Sequence, residues 1–239
     1  MNKKYFLAID TETAGDISKP LIYDVGFAIV DIYGNIQEKA SYVNYDIYVK
    51  EKELMQSAYY AEKLPQYEED LKAGRRKLAR FYTIRKKVLD AMKRWNVEGV
   101  GAYNTGFDRR SLNNTMRFTT DGKYRYFFPK DTKFIDIWTM ACHAIFTTPS
   151  YRKMAYENEW YSEKGNVRTN AEVAFAFISG QFDFIESHTA LEDVEIEVAI
   201  MAHCWRKTKA EQREIIGCPW RIPQKEWYYT EDRKDRGLA

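Results

Sequence analysis

Acidic residues with the spacing of metal ligands follow an apolar segment near the N-terminus. Asp10 and Glu12 come directly after residues 5–9, an apolar run typical of a strand that is buried on both faces. Residues two apart in a strand point to the same side, so the two carboxylates are neighbours. Neighbouring carboxylates repel each other unless a cation lies between them, and hard divalent cations prefer oxygen ligands. The alternative is a solvated charged surface, but charged groups are seldom buried without a partner.

Two later segments contribute residues suited to the same chemistry. Residues 100–103 predict a short strand that runs into a helix, with Asp108 near the first helical turn. An acid there also has a simpler role, because negative charge stabilises a helix N-terminus. His188 and Asp193 are five residues apart at the start of another predicted helix, so the imidazole can lie above the carboxylate. Taken alone, a histidine near a helix start is more often a capping or core residue than a catalytic one.

Together these residues resemble a known set of motifs. Asp10-x-Glu12, Asn104-x-x-Phe107-Asp108 and His188-x4-Asp193 are similar to the three exonuclease motifs of the DEDDh (DnaQ-like) 3′–5′ exonucleases. The resemblance covers about residues 5–205. It implies a ribonuclease-H-like α/β fold, in which helices flank a mixed sheet of about five strands with an antiparallel three-stranded N-terminal part.

The resemblance also implies a catalytic centre with two Mg²⁺ or Mn²⁺ ions. Its implied catalytic residues are Asp10, Glu12, Asp108, His188 and Asp193. Asp10, Glu12 and Asp193 are implied as direct metal ligands, with Asp10 bridging both ions and Asp108 binding largely through water. His188 is implied as the general base. Phosphodiester hydrolysis needs an activated water, a proton acceptor and stabilisation of developing charge, which paired ions and an imidazole can supply.

Other residues near the motifs receive secondary roles. We expect substrate contacts from Thr13, Ala14, Asn104, Phe107 and Arg109. Asp24 and Asp136 lie within or at the end of predicted strands and are expected to be structural.

The apolar pattern predicts strands first and then helices alternating with short strands. The predicted strands are 5–9, 21–32, 36–49, 100–103 and 134–137. The predicted helices are 51–64, 66–95, one that begins at about 107, one that follows the last strand and ends at about 146, and then 170–179 and 189–206. We expect one exonuclease domain over residues 1–206, with insertions near 50–95 and 113–170. A charged, aromatic extension, residues 207–239, is expected to pack on the same domain.

The net charge hides local clusters. Lys and Arg number 37 against 35 Asp and Glu, a balance of +2 that indicates no polyanionic partner. However, residues 71–95 hold ten Lys and Arg against one acid, and residues 117–133 interleave cations with aromatics around a predicted hairpin turn at Asp121-Gly122. Such clusters can follow a phosphate backbone and stack on bases. A solvated face is the alternative for 71–95, and 117–133 is the better candidate for substrate contact.

These patterns predict a metal-dependent 3′–5′ exonuclease that releases nucleoside monophosphates from the 3′ ends of single-stranded DNA or RNA. There are two alternatives. One is a catalytically idle nucleic-acid-binding or polymerase-accessory module, and the other is an oligoribonuclease-like enzyme that degrades short RNA. Any proofreading is expected to act with a polymerase in trans. Three cysteines without CxxC spacing predict reduced thiols, and no apolar run has the length of a bilayer span. We therefore expect a cytoplasmic protein without a membrane partner.

Overall fold

Long β-branched and aromatic segments form the first half of a mixed sheet. The computed structural model describes residues 3–58 and 60–207. Their strands are β1 (Tyr5–Ala14), β2 (Leu21–Asp31), β3 (Ile36–Asn44), β4 (Lys77–Ala79), β5 (Gly99–Ala102) and β6 (Phe134–Asp136). The order across the sheet is β4-β3-β2-β1-β5-β6. β1 to β3 are antiparallel, whereas β4, β5 and β6 each run parallel to the neighbour they pair with.

Helices cover both faces of this sheet. They are α1 (Tyr45–Tyr48), α2 (Lys52–Met55), α3 (Leu64–Lys72), α4 (Phe81–Arg94), α5 (Thr105–Thr119), α6 (Ile137–Ala141), α7 (Pro149–Glu157), α8 (Ala171–Ser179) and α9 (Ala190–Lys207). Leu7 and Ile9 of β1 pack with α4 and α5, whereas Ala8 packs with α6, α8 and α9. The central strand is thus apolar on both faces, as its sequence predicts. Among the described residues no helix is long and apolar enough to cross a membrane.

The prediction of one long helix over residues 66–95 is wrong. α3 ends at Lys72, and Gly74 follows with φ of +72°, a backbone conformation that favours glycine. The chain then forms β4, an edge strand paired with β3, before α4 begins at Phe81. Pro65 lies in the first turn of α3 rather than ending the preceding helix, because a proline needs no hydrogen-bond acceptor there. The described part of the chain consequently forms a sheet of six strands instead of about five.

The segment after β3 is also more broken than its sequence predicts. The strand predicted over 36–49 stops at Asn44, whose side chain accepts a hydrogen bond from the backbone N–H of Asp46 at 3.0 Å and so caps α1. The helix predicted over 51–64 is divided into α2 and a 3₁₀ turn at Ala61–Lys63.

The predicted hairpin turn at Asp121-Gly122 is wrong as well. α5 continues to Thr119, and the N–H of Gly122 donates to the carbonyl of Arg117 at 2.8 Å. With φ of +49° at Asp121 and +75° at Gly122, this is a helix C-terminal cap. The basic and aromatic residues after it therefore form a loop along α5 rather than a second strand pair.

Two further predictions concern the end of the chain and the thiols. Residues 208–239, nearly all of the predicted C-terminal extension, lie outside the described residues, so their packing stays a prediction. Cys142 and Cys204 are buried cysteines, as expected; Cys218 is not among the described residues.

Candidate metal centre

Three carboxylates from two separate elements meet where α9 begins to cross β1 and β2. Asp10, Glu12 and Asp193 each offer an oxygen, and these atoms all lie within 4.8 Å of one another. Asp10 and Glu12 share the face of β1 that α9 covers, since they alternate with the intervening residue. Gly26 pairs with Asp10 across the sheet, and a Cβ at Gly26 would lie 2.3 Å from the Ala190 carbonyl. The missing side chain therefore lets the first turn of α9 rest directly on the sheet.

Hydrogen bonds fix the orientation of this first turn. The backbone N–H of Ala190 donates to Asp24 Oδ2 at 3.2 Å. The Ser187 hydroxyl donates to Asp193 Oδ1 at 3.2 Å. Asp193 is thus held from the loop before α9, while Asp24 anchors the helix to β2.

Asp24 belongs to a buried ionic network around Arg76. Arg76, with 3% of its surface exposed, donates to Asp24 at 3.0 Å, to Asp70 at 2.9 Å and to Glu192 at 2.8 Å. The network joins β2, α3 and α9, so Asp24 is structural, as its sequence context predicts. Arg76 is one of the ten cations counted in residues 71–95, yet it is enclosed by acids and not available to a nucleic acid.

Several other cations of residues 71–95 are also bound within the protein. Arg75 pairs with Asp70, Arg85 donates to the Phe127 carbonyl, and Arg94 pairs with Glu38. The basic segment is therefore not one continuous cationic helix face.

Asp108 approaches the centre from the α5 side of β1. It is buried in the first turn of α5 and accepts a hydrogen bond from the Thr11 hydroxyl at 2.8 Å. Burial raises the pKa of Asp108 to about 7, although the Thr11 bond opposes the shift. The sequence motifs do not assign a role to Thr11. The one feature of the sequence that indicates its contribution is its position between Asp10 and Glu12, which puts it on the opposite face of the strand.

Burial and mutual repulsion raise the proton affinity of all the acids in the centre. The pKa of Asp10 is raised by burial first and then by Glu197, Asp108, Glu12 and Asp193. The pKa of Glu12 is raised by burial and by Asp193, and burial raises that of Asp193 to about 7. Acids arranged in this way need either protons or cations as counter-charge.

Glu197 is an acid of this region that no motif indicates. It is buried one helical turn after Asp193 on α9, and its Oε1 accepts a hydrogen bond from the backbone N–H of Tyr103 at 3.1 Å. Four-residue spacing places Glu197 and Asp193 on the same helix face, which is the one signal its sequence offers.

The structure places His188 beside the centre, where its side chain contacts Tyr60. Its ring stacks on Tyr60, with centroids 4.0 Å apart and planes inclined by 8°. Nδ1 lies 4.0 Å from a carboxylate oxygen of Glu186. Burial lowers the pKa of His188, the positive charge of Lys63 adds to this effect, and Glu172 opposes it. The backbone φ of +54° at His188 holds the residue in the left-handed region just before α9.

The residues predicted to contact substrate lie in different environments. Ala14 is buried in the core between β1 and α1, so its side chain is not available. Thr13 is half-buried directly after Glu12, at a register shift of the β1–β2 pair. Around the start of α5, Asn104 has φ of +65°, Phe107 is half-buried, and Arg109 is exposed.

Asp136, expected to be structural, caps α6. Its side chain accepts a hydrogen bond from the backbone N–H of Thr139 at 3.2 Å.

Comparison with known proteins finds similarity in structure alone. No protein-family model matches the chain, and no curated protein matches it. The chain is similar to Escherichia coli Exonuclease I in complex with a 5cy-dT13 oligonucleotide, with a TM-score of 0.51 and 15% identity over 83% of this chain and 39% of that chain. Exonuclease X in complex with 5′ overhanging duplex DNA gives a TM-score of 0.42 and 16% identity over 87% and 97% of the two chains. At this identity the likeness to Exonuclease I shows a shared fold, and the mixed sheet flanked by helices has the predicted ribonuclease-H-like architecture.

Proposed function

We propose that this chain is a metal-dependent 3′–5′ exonuclease of the DEDDh type. It would hydrolyse phosphodiester bonds at the 3′ ends of single-stranded DNA or RNA and release nucleoside monophosphates. The observation that carries the proposal is the meeting of Asp10, Glu12 and Asp193, within 4.8 Å of one another, where β1 meets α9. The fold, shared with an exonuclease, supports the same conclusion.

The donor set fits magnesium or manganese. Carboxylate oxygens suit hard divalent ions, and burial of Glu12 and Asp193 makes their repulsion without a cation costly. Asp10, Glu12 and Asp193 would hold two ions directly, and Asp108 would contribute largely through water. When bound, such ions activate water and stabilise charge at the phosphate.

His188 is the proposed proton acceptor. Because burial lowers its pKa, the ring is neutral near pH 7 and can take a proton from the attacking water. The stack on Tyr60 fixes the plane of the imidazole.

A surface beside Asp108 is the best candidate for holding the strand. We call it the basic aromatic surface; it encloses a cavity of about 320 Å³ lined by Arg109, Asn113, Tyr126, Phe128, Pro129, Lys130 and Phe134. The Arg109 guanidinium lies over the Phe134 ring, 5.3 Å from its centroid, and Tyr126 is 64% exposed. Exposed aromatics stack on unpaired bases and cations contact phosphates. Arg109 directly follows Asp108 in the chain, so this surface begins one residue from an acid of the proposed centre.

Digestion of labelled strands tests this function. Single-stranded DNA and RNA, each labelled at the 5′ or the 3′ end, are incubated with protein and Mn²⁺ or Mg²⁺. We expect stepwise shortening of the 5′-labelled strands and release of labelled mononucleotide from the 3′-labelled ones. Asp10→Asn should reduce the rate about 10²-fold or more, because it removes a proposed ligand of the ions. Each tenfold reduction in rate corresponds to a loss of about 1.4 kcal/mol of transition-state stabilisation. The control, Asp90→Asn at an exposed position of α4, should leave the rate unchanged.

Other results would favour the alternative functions. Strand binding without hydrolysis, unaffected by metal or by Asp10→Asn, would indicate an idle binding or polymerase-accessory module. Cleavage confined to the shortest RNA oligomers would indicate an oligoribonuclease-like enzyme. Absence of any cleavage by folded protein with Mn²⁺ would contradict the enzyme proposal. Addition of a polymerase to the digestion tests for a partner in trans.

A further inference from the structure

The Glu197 side chain carries a buried oxygen without a hydrogen-bond partner. Glu197 is 3% exposed, and while Oε1 accepts the Tyr103 N–H, Oε2 has no hydrogen-bond partner among the described residues. An unpaired carboxylate oxygen in the interior is destabilising and is retained where a cation or a coordinated group compensates it.

The Glu197 carboxylate lies level with Asp10 along the sheet: its Oε1 accepts the Tyr103 N–H, and Tyr103 is two residues beyond Gly101, the parallel partner of Ala8, as Asp10 is two residues beyond Ala8. Among the neighbouring charges that raise the pKa of Asp10, that of Glu197 is the largest, ahead of Asp108. The charges that act on Glu197 are themselves acidic, belonging to Asp108, Glu186 and Asp193. These acids provide no positive charge for Glu197, so its compensation has to come from a proton or from a bound cation.

We propose that Glu197 is an additional carboxylate of the metal centre, which increases the affinity for a divalent cation at Asp10. The inference rests on the proposed function for its metal centre, and it adds a position that the three sequence motifs leave out. With Glu197 the centre carries five acids instead of four, so it attracts divalent ions more strongly than the motif residues alone.

A purely structural role is the competing explanation, because Glu197 also ties α9 to the end of β5 through Tyr103. Glu197→Gln separates the two roles: glutamine retains an oxygen that can accept the Tyr103 N–H but removes the charge. Glu197→Leu removes both. Glu195→Gln is a matched control, since Glu195 lies on the same helix, is exposed and pairs with Lys39.

Calorimetric titration of the full chain with MnCl₂ tests the proposal. We expect Glu197→Gln and Glu197→Leu to weaken the tightest Mn²⁺ binding by about 10-fold or more, and Glu195→Gln to bind like the wild type. Unchanged Mn²⁺ affinity in Glu197→Gln, including the case in which only Glu197→Leu binds more weakly, would overturn the proposal in favour of the structural tie.

The same experiment separates this inference from the proposed function. If wild type and Glu197→Gln differ in Mn²⁺ affinity but no strand is cleaved, the nuclease proposal fails and the role of Glu197 stands. If the wild type cleaves strands and both proteins bind Mn²⁺ equally, only the role of Glu197 fails.

Discussion

Gly26 and Ala190 are in direct backbone contact: a Cβ at Gly26 would lie 2.3 Å from the carbonyl of Ala190. Gly26 is the strand partner of Asp10, and Ala190 begins the helix that carries Asp193. A residue with no side chain thus sets the distance between the two elements that carry the clustered carboxylates Asp10, Glu12 and Asp193.

Replacing Gly26 should separate these elements. Gly26→Ala forces the start of α9 away from the sheet, and overpacking of this kind lowers the free energy of unfolding by about 1–3 kcal/mol or more. Gly106→Ala is the control, since a Cβ there meets nothing within 4 Å in α5, and it should gain up to about 1 kcal/mol. Urea unfolding followed by circular dichroism measures both changes. Equal midpoints for Gly26→Ala and the wild type would show that the contact is not needed.

The Arg76 network should contribute much more to stability than its exposed neighbour. Arg76→Met leaves Asp24 and Asp70 without their buried cation, which lowers the free energy of unfolding by about 3–5 kcal/mol. Arg75 pairs with the same Asp70 but its side chain is 63% exposed, so Arg75→Met should change stability by about 1 kcal/mol or less. Chemical denaturation measures the free energy of unfolding of both variants. Similar decreases in the two would contradict a larger contribution of Arg76.

Stability of the metal-free protein should fall as the pH rises. Burial raises the pKa of Asp108 and Asp193 to about 7, and burial together with the charges of Asp193 and Glu172 raises that of Glu186 to about 8. A carboxyl whose pKa is raised on folding stabilises the protein fully below its ordinary pKa, about 4, and loses this contribution as the pH rises through the folded value. We therefore expect the melting temperature in EDTA to decrease from pH 6 to pH 8.5.

Two additions sharpen the pH measurement. Mn²⁺ should restore the melting temperature at pH 8.5, because the cation replaces the lost protons as counter-charge. Asp108→Asn, which removes one of the raised groups, should flatten the decrease. A melting temperature in EDTA that stays constant or increases over this range would argue against a repulsive acidic centre.

Tyr126 should contribute to strand binding through base stacking. With strand digestion blocked by Asp10→Asn, Tyr126→Ala should weaken the affinity for a single-stranded oligonucleotide by about 1–3 kcal/mol, or roughly tenfold to a hundredfold. Tyr33, 68% exposed in the turn between β2 and β3, provides the control, and Tyr33→Ala should bind normally. Fluorescence anisotropy compares the variants. If both substitutions have the same effect, the basic aromatic surface does not hold the strand.

Local sequence predicts the parts of the centre that depend on spacing within one element. Asp10 and Glu12 alternate along an apolar strand, and Asp193 follows a helix start, so each can be assigned to an element without the rest of the fold. The four-residue spacing from Asp193 is not enough to distinguish Glu197 from a solvated acid, because its burial depends on the approach of β5 and α9.

Non-local contacts explain the main errors. Arg76 lies in a basic run typical of a solvated face, but Asp24 and Glu192, which are distant in sequence, meet around it together with the nearby Asp70. β4 has three residues, and its conformation is stabilised by pairing with β3 rather than by its own propensity. A helical pattern of apolar residues therefore continues through a segment that tertiary structure makes into a turn and a strand.

Anomalous scattering from manganese tests the central claim most directly. Crystals of the protein grown with MnCl₂ should show an anomalous difference peak among Asp10, Glu12 and Asp193, and Asp10→Asn should weaken or remove it. Ordered carboxylates in the same arrangement, with no manganese between them at saturating MnCl₂, would contradict the assignment of this cluster as a metal centre.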